Sequence, residues 1–149
     1  MRLTSFTDYT LRTLIYLALQ SDSLATIAEI AAAYDISSNH LMKVVHQLAV
    51  AGDIVTVRGQ RGGLRLARPA SEINIGAVVR RTEPDMELVA CFAQDQCCVI
   101  QNGCVLQHAL GDALAAFLAV LDRYTLADLV VPQQALTRML RLPAPVPQR

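Results

Sequence analysis

Apolar residues recur at three-and-four spacing through the first third of the chain and then give way to alternation. In "TLRTLIYLAL", Leu11, Leu14, Ile15 and Ala18 share one helical face and predict a first helix. Thr26 precedes "IAEIAAAY" and Glu29 stands three residues on. This is a capping box, in which hydroxyl and carboxylate each satisfy an orphan amide at the start of a short second helix. In "SSNHLMKVVHQLAVAG", Ser37 is placed to cap, and Leu41, Val44, Val45 and Leu48 form a single apolar stripe. Gly52 supplies the left-handed stop, so a third helix with one clearly polar side is expected.

The period then changes. "DIVTVR" and "LRLAR" are short β-prone runs separated by "GQRGG", whose glycines permit the positive φ values of a tight connection. Three helices followed by a hairpin is the order of a winged helix-turn-helix. Asn74 can cap "IGAVVRRTE", which Pro84 prevents from continuing. From Leu106 to Tyr124, the residues Leu110, Leu114, Phe117, Leu118 and Leu121 line one side of a long helix. That side must be covered, either by a symmetry mate or by folding back on its own domain. Thr125 and Asp128 can start a short turn in "TLADLV", whereas "RLPAPVPQR" has too little patterned apolar content to pack.

The expected architecture is mainly α with a small β-hairpin, a winged helix-turn-helix domain plus a long dimerisation helix. Its divisions are residues 1–83 for the DNA-binding domain, 84–105 for a cysteine-rich loop, 106–131 for the dimerisation helix with a short terminal helix, and 132–149 for a flexible tail.

Composition sharpens this. The 149 residues are 53% hydrophobic, ample for a core. No apolar run reaches the roughly 18 to 20 residues of a membrane span, and "MRLTSFTDYT" lacks the layout of a secretory signal, so a cytoplasmic setting is expected. In that reducing environment clustered cysteines lean towards metal or redox chemistry rather than a structural disulfide. The formal charge is zero, so any case for nucleic acid has to be local.

The local case is made by the third helix and the hairpin. In a helix-turn-helix, the N-terminal residues of the second paired helix face base edges in the major groove. Here Ser38, Asn39 and His40 offer hydrogen-bonding groups at that entry, and Lys43 adds a charge one turn later. Arg58 and Arg61 flank the glycine-supported turn, a design suited to a wing that places a guanidinium in a narrow minor groove or against phosphate. Gln60 at the same tip and Arg2 at the chain start complete the candidate DNA-binding set. Between Ser38 and Arg65 the only acid is Asp53, against Lys43, Arg58, Arg61 and Arg65. So modest an excess suits two half-sites bound by a symmetric homodimer.

All four cysteines fall within "CFAQDQCCVIQNGC". Structural zinc sites take cysteines in close pairs, and that spacing is absent. Five residues separate Cys91 from Cys97 and five separate Cys98 from Cys104, a loop wide enough for a multi-iron cluster, with Gly103 easing the approach of the last thiolate. Three evenly placed sulfurs leave a fourth iron ligand to come from elsewhere. A nucleotide-dependent or hydrolytic enzyme finds no support, because "GQRGG" joins two strands rather than opening a helix on phosphate and no Ser-His-Asp set is present.

"MRLTSFTDYTLR", "VRGQRGGLRLARPAS", "IGAVVR", the cysteine loop and "YTLADLV" together resemble the NsrR nitric-oxide-sensing repressors, a branch of the winged-helix iron-sulfur regulators that include IscR and RirA. The resemblance covers nearly the whole chain. It implies a homodimeric repressor on a double-stranded DNA operator, holding an iron-sulfur cluster, 4Fe-4S in preference to 2Fe-2S, that nitric oxide nitrosylates. It further implies three loop cysteines and an oxygen ligand from the first helix of the other subunit, which here is Asp8. Of the adjacent Cys97 and Cys98, Cys98 matches the family's gap to Cys104, so the implied metal ligands are Asp8, Cys91, Cys98 and Cys104. His108 lies one position beyond the place where IscR-type proteins carry a histidine ligand. Within the same fold, an iron-responsive or redox-responsive regulator is the alternative.

Overall fold

A computed structural model describes residues 2–93, 98–100 and 103–142. The first helix, α1 (Ser5–Leu19), begins earlier than its apolar stripe suggests, because Thr4 caps it by accepting from the Thr7 amide. Glu83 in turn accepts from the Thr4 amide at 2.8 Å and from its hydroxyl at 3.1 Å, pinning the start of α1 to the far end of a later helix. Helix α2 (Ile27–Tyr34) carries the expected capping box between Thr26 and Glu29. Asp35 then turns the chain at φ 52°, a left-handed conformation that aspartate tolerates better than most residues.

Helix α3 (Ser38–Val50) buries Leu41, Val44, Val45 and Leu48, all four members of its predicted stripe. Ser37 precedes it without donating or accepting a side-chain cap, so stripe packing rather than capping holds this helix. Gly52 stops it at φ 75°. Strands β1 (Ile54–Val57) and β2 (Gly63–Leu66) form an antiparallel hairpin in which Ile54 faces Leu66 and Val57 faces Gly63. Ala25, in the connection between α1 and α2, exchanges backbone hydrogen bonds with Leu64 at 3.0 and 2.7 Å and ties the root of the wing to the helical body.

Asn74 caps α4 (Ile75–Thr82) as predicted, accepting from the Ala77 amide. A 3-10 turn at Ala90–Phe92 precedes the long α5 (Val105–Leu121), and Thr125 and Asp128 form a capping box at α6 (Leu126–Leu129). Leu126 is fully buried in the same core as Leu14, Ile30, Leu41 and Val44, and its amide donates to the Ile73 carbonyl. The region after the long helix therefore completes the winged-helix core rather than standing apart from it. The expected flexible tail from 132 is likewise replaced, over its first part, by α7 (Gln133–Met139), which packs on α1 with Thr137 buried and Leu142 against the core. Within "QQALTRML" the apolar groups are few but fall on one side, and α1 supplies the surface that the local sequence lacks. Residues 143–149, which hold "PAPVPQR", lie outside the described residues.

Helix α1 is the hub, with α2, α3, α4, α6, α7 and β2 all packed around it. Two of its buried threonines are satisfied locally, Thr10 and Thr13 donating to the Phe6 and Tyr9 carbonyls, and Thr7 donates across to Thr82 of α4. Among the described residues no helix is long and apolar enough to cross a membrane.

Candidate functional site

Once α3 buries its apolar stripe, everything else on that helix faces outward. Ser38, Asn39, His40 and Lys43 are exposed, as the sequence leads one to expect, and Met42, His46, Gln47 and Val50 extend the same exposed face by two turns. Asn39, Met42, Lys43, His46 and Gln47 line a groove of about 820 Å³ together with Phe6 and Arg81. His46, Gln47 and Arg81 are absent from the sequence-based set. The signal for the first two is the complement of the buried stripe, whereas Arg81 comes from a different helix and has none.

The wing presents Arg58, Gln60 and Arg61, all exposed, on a turn that requires glycine twice. Gly59 sits at φ 119°, and a Cβ on Gly62 would lie 2.3 Å from the Val57 carbonyl oxygen. Arg2 is exposed but lines a different cavity, shared with Glu83, Asp85 and Glu87 and with Leu114 and Phe117 of α5. The fold does not place it in the groove along α3.

Asp53 decides the electrostatics of this face. Its side chain is fully buried and is held by Arg68 at 2.5 Å and by Arg81. The one acid between the start of α3 and the end of the wing is thus withdrawn from the surface and paired from outside that segment. Lys43, Arg58, Arg61 and Arg65 remain without an opposing carboxylate of their own segment, so the local positive field is stronger than the net charge of zero implies. The same triad fixes orientation, because it joins the end of α3, the end of the wing and α4.

The thiols lie between α4 and α5. Cys91 is half-buried in the 3-10 turn, Cys98 is exposed, and Cys104 is half-buried at the N-cap of α5. Gln107, on the first turn of α5, donates to the Cys91 carbonyl at 3.4 Å and draws the two ends of the loop together. Cys97 lies outside the described residues. Asp8 is on the first turn of α1, about half exposed, and is paired with Arg12 at 3.0 Å. Among the described residues no three histidine, cysteine or acidic side chains of this one chain come together to hold a metal ion. His108 points from an exposed position on α5.

The donor set nevertheless suits thiolate-bound iron. Cys91, Cys98 and Cys104 are soft sulfur donors in a loop whose ends are tied, beside Gly103, where a Cβ would meet nothing within 4 Å. Asp8, a hard oxygen donor, sits on a different element and is about half exposed.

A model of the family described as "Rrf2: Iron-dependent Transcriptional regulator" matches residues 3–132, most of the chain. The chain belongs to the Rrf2 family. Its relatives place it among NsrR-type members: it is 49% identical to the HTH-type transcriptional regulator NsrR of Bacillus subtilis over 144 residues, covering 95% of this chain and 99% of the relative. It is 48% identical to the protein of that name from Halalkalibacterium halodurans, over 95% of this chain and 99% of the relative. Among solved structures, the global cysteine regulator CymR of B. subtilis superposes with a TM-score of 0.70 at 25% identity, covering 87% of this chain and 95% of that one. IscR from T. potens superposes at 0.69 and 24% identity over 87% and 86%, which is a likeness of fold alone. This Rrf2 protein is accordingly a transcriptional regulator with a winged-helix fold, not an enzyme.

Proposed function

We propose that the chain is a homodimeric repressor that binds a double-stranded DNA operator as two half-sites and releases it in response to nitric oxide. In this reading α3 enters the major groove with Ser38, Asn39, His40 and Lys43 towards the bases, while Arg58, Gln60 and Arg61 engage the adjacent backbone or minor groove. An iron-sulfur cluster, of the 4Fe-4S type, would be held by Cys91, Cys98 and Cys104 with the partner subunit's Asp8. When bound, it would supply iron at which nitric oxide reacts. The chain's own contribution is to offer a carboxylate, a poorer ligand for such iron than thiolate, at a place where two protomers would be joined.

The observation that carries this reading is the separation of donors within one protomer. The thiols belong to the loop before α5, whereas Asp8 lies half-exposed on α1, and among the described residues it joins them in no metal-binding group. A centre that uses both would draw them from two copies. Helix α5 supports the pairing. Leu110, Leu114, Phe117, Leu118 and Leu121 form its half-buried face, folded back towards its own domain. A second stripe, Leu106, Ala109, Ala113, Ala116 and Val120, is exposed at alternating three-and-four spacing, with Leu106 65% and Val120 42% exposed. Such spacing suits the seam of a helix pair, and its alanines would permit close approach of a symmetry mate.

The test is an anaerobic titration of iron-loaded protein with nitric oxide, following the visible spectrum and operator binding together. Loss of the cluster absorption and release of DNA should run in parallel. Release ahead of any change at iron, or equal operator affinity after the iron is chelated away, overturns the reading. The family's description as iron-dependent favours one other signal, iron supply. That reading predicts release on chelation but none on addition of nitric oxide at full iron occupancy.

A further inference from the structure

Asp8 does not stand alone on α1. Arg12, one turn later, donates from Nε to its carboxylate at 3.0 Å, and the same guanidinium lies over the ring of Tyr34 at 5.7 Å. Tyr34 is the last residue of α2, half-buried, its phenol pushed up to about 12 chiefly by desolvation. Only Asp35, Ile36 and Ser37 separate it from α3, and Ile36 is buried. Tyr9, adjacent to Asp8, stacks on the ring of His40 with centroids 6.0 Å apart, and His40 lies in the first turn of α3. Of the two neighbours of Asp8, Tyr9 thus touches the entry of α3 directly, through His40, and Arg12 touches the end of α2 just before it.

We propose that Arg12 is a positioning residue, a single cation shared between Asp8 and Tyr34, through which whatever engages the Asp8 carboxylate is felt at the N-terminal end of α3, with the Tyr9–His40 stack as a second branch. The electrostatics are simple. A guanidinium between a carboxylate and a ring face divides its attraction between them. When a metal centre takes the carboxylate, the oxygen lone pairs are committed to that bond and the ion pair with Arg12 weakens, so a larger share of the guanidinium's attraction falls to the Tyr34 ring. Tyr34 is too closely followed by α3 to move independently of it. The side chains of Asp8 and Arg12 are both nearly half exposed, so the link is a bias of modest size on a helix entry rather than a lock. A bias of this kind falls in the range of ordinary coupling between sites, about fivefold and upward in affinity.

This inference rests on the proposed role of Asp8, yet it can be tested without the cluster. Three amides report on the α3 entry: Ile36, bonded to the Ala31 carbonyl at 3.0 Å, and His40 and Leu41, bonded to the Ser37 carbonyl at 3.0 and 3.2 Å. In metal-free full-length protein, Asp8→Asn should change their hydrogen-exchange rates by about threefold or more, while the Val78 amide of α4 stays as it was. In an Arg12→Gln background the same Asp8→Asn change should have no further effect, and Arg12→Lys, which keeps the charge, should restore sensitivity. Unchanged exchange in Asp8→Asn, or an equal response with Arg12→Gln, overturns the link. In iron-loaded protein, Arg12→Gln should leave iron content intact but lower the ratio of loaded to chelated operator affinity by about twofold or more, the Tyr9–His40 branch remaining; an unchanged ratio overturns the link. A wild-type ratio already near one counts against the cluster reading, and the exchange measurements then decide the link on their own.

Discussion

Arg80 grips Asp122 with both terminal nitrogens, each 2.6 Å from a carboxylate oxygen, while its neighbour Arg81 turns to the buried Asp53. Two consecutive residues of α4 therefore face opposite ways. One holds the end of the long helix and the other holds the junction of α3 and the wing. Helix α4 is the mechanical bridge between the proposed dimer seam and the proposed reading surface, and its arginines are the rivets.

The pH dependence follows from the carboxylate side of this bridge. Hydrogen bonding from Arg80 holds the Asp122 carboxyl below its ordinary 3.8, and the Thr125 amide and hydroxyl do the same for Asp128. A depressed folded value means stability that is present above the unfolded value and is lost as pH falls through the folded one. Thermal unfolding followed by circular dichroism should show a midpoint that is flat with respect to these groups above about pH 5 and falls below about pH 4. Asp122→Asn should flatten part of that acid limb.

Removing Asp53 should be the most damaging single charge substitution near the site. Asp53→Ala leaves two guanidiniums facing a cavity they were built to share, and breaking a buried pair from one side costs about 3–5 kcal/mol. Arg68 and Arg81 are 39% and 38% exposed and can partly rehydrate, which places the expectation at the lower end, about 3 kcal/mol in urea unfolding. Arg81→Ala should cost less, because Arg68 still pairs with the acid.

Gly63 faces the helical body, not the wing tip. A Cβ there would stand 2.8 Å from the Ala25 carbonyl oxygen and 2.9 Å from the Leu24 Cβ, both poorly able to yield. Gly63→Ala should lower stability by about 1–3 kcal/mol through forced separation of β2 from the Ala25 bridge. Operator affinity should fall with it, since that bridge sets the wing's root.

Arg61→Ala should leave the fold intact, because the side chain is exposed and makes no ion pair among the described residues. If the guanidinium meets phosphate, operator binding weakens and the slope of log affinity against log salt decreases by about 0.9. An unchanged slope in a filter-binding or anisotropy titration removes Arg61 from the backbone contacts.

Local chemistry wrote much of this fold. The capping box of Thr26 and Glu29, the Asn74 cap, the stripe of α3 and the glycine-bearing wing turn all rest on interactions within a few residues, so periodicity and capping rules suffice to read them. The exposed set on α3 was legible for the same reason, as the complement of its buried stripe. Ser37 is the instructive failure: a serine at a helix start signals a cap by type, but here its side chain makes no cap bond, and four buried aliphatic side chains hold the helix instead.

What the sequence by itself determined is therefore the order of elements, the cationic bias of the third helix and wing, and the gathering of thiols in one loop, because each depends on neighbours along the chain. What only the tertiary structure decided are relations between distant segments. Asp53 is silenced by Arg68 and Arg81, Leu126 enters the first domain's core, α7 finds a surface on α1, and α5 turns one apolar face inward and leaves another outward. A charge or a stripe has no meaning for burial until its partner is chosen, and that choice belongs to packing, which no local pattern encodes.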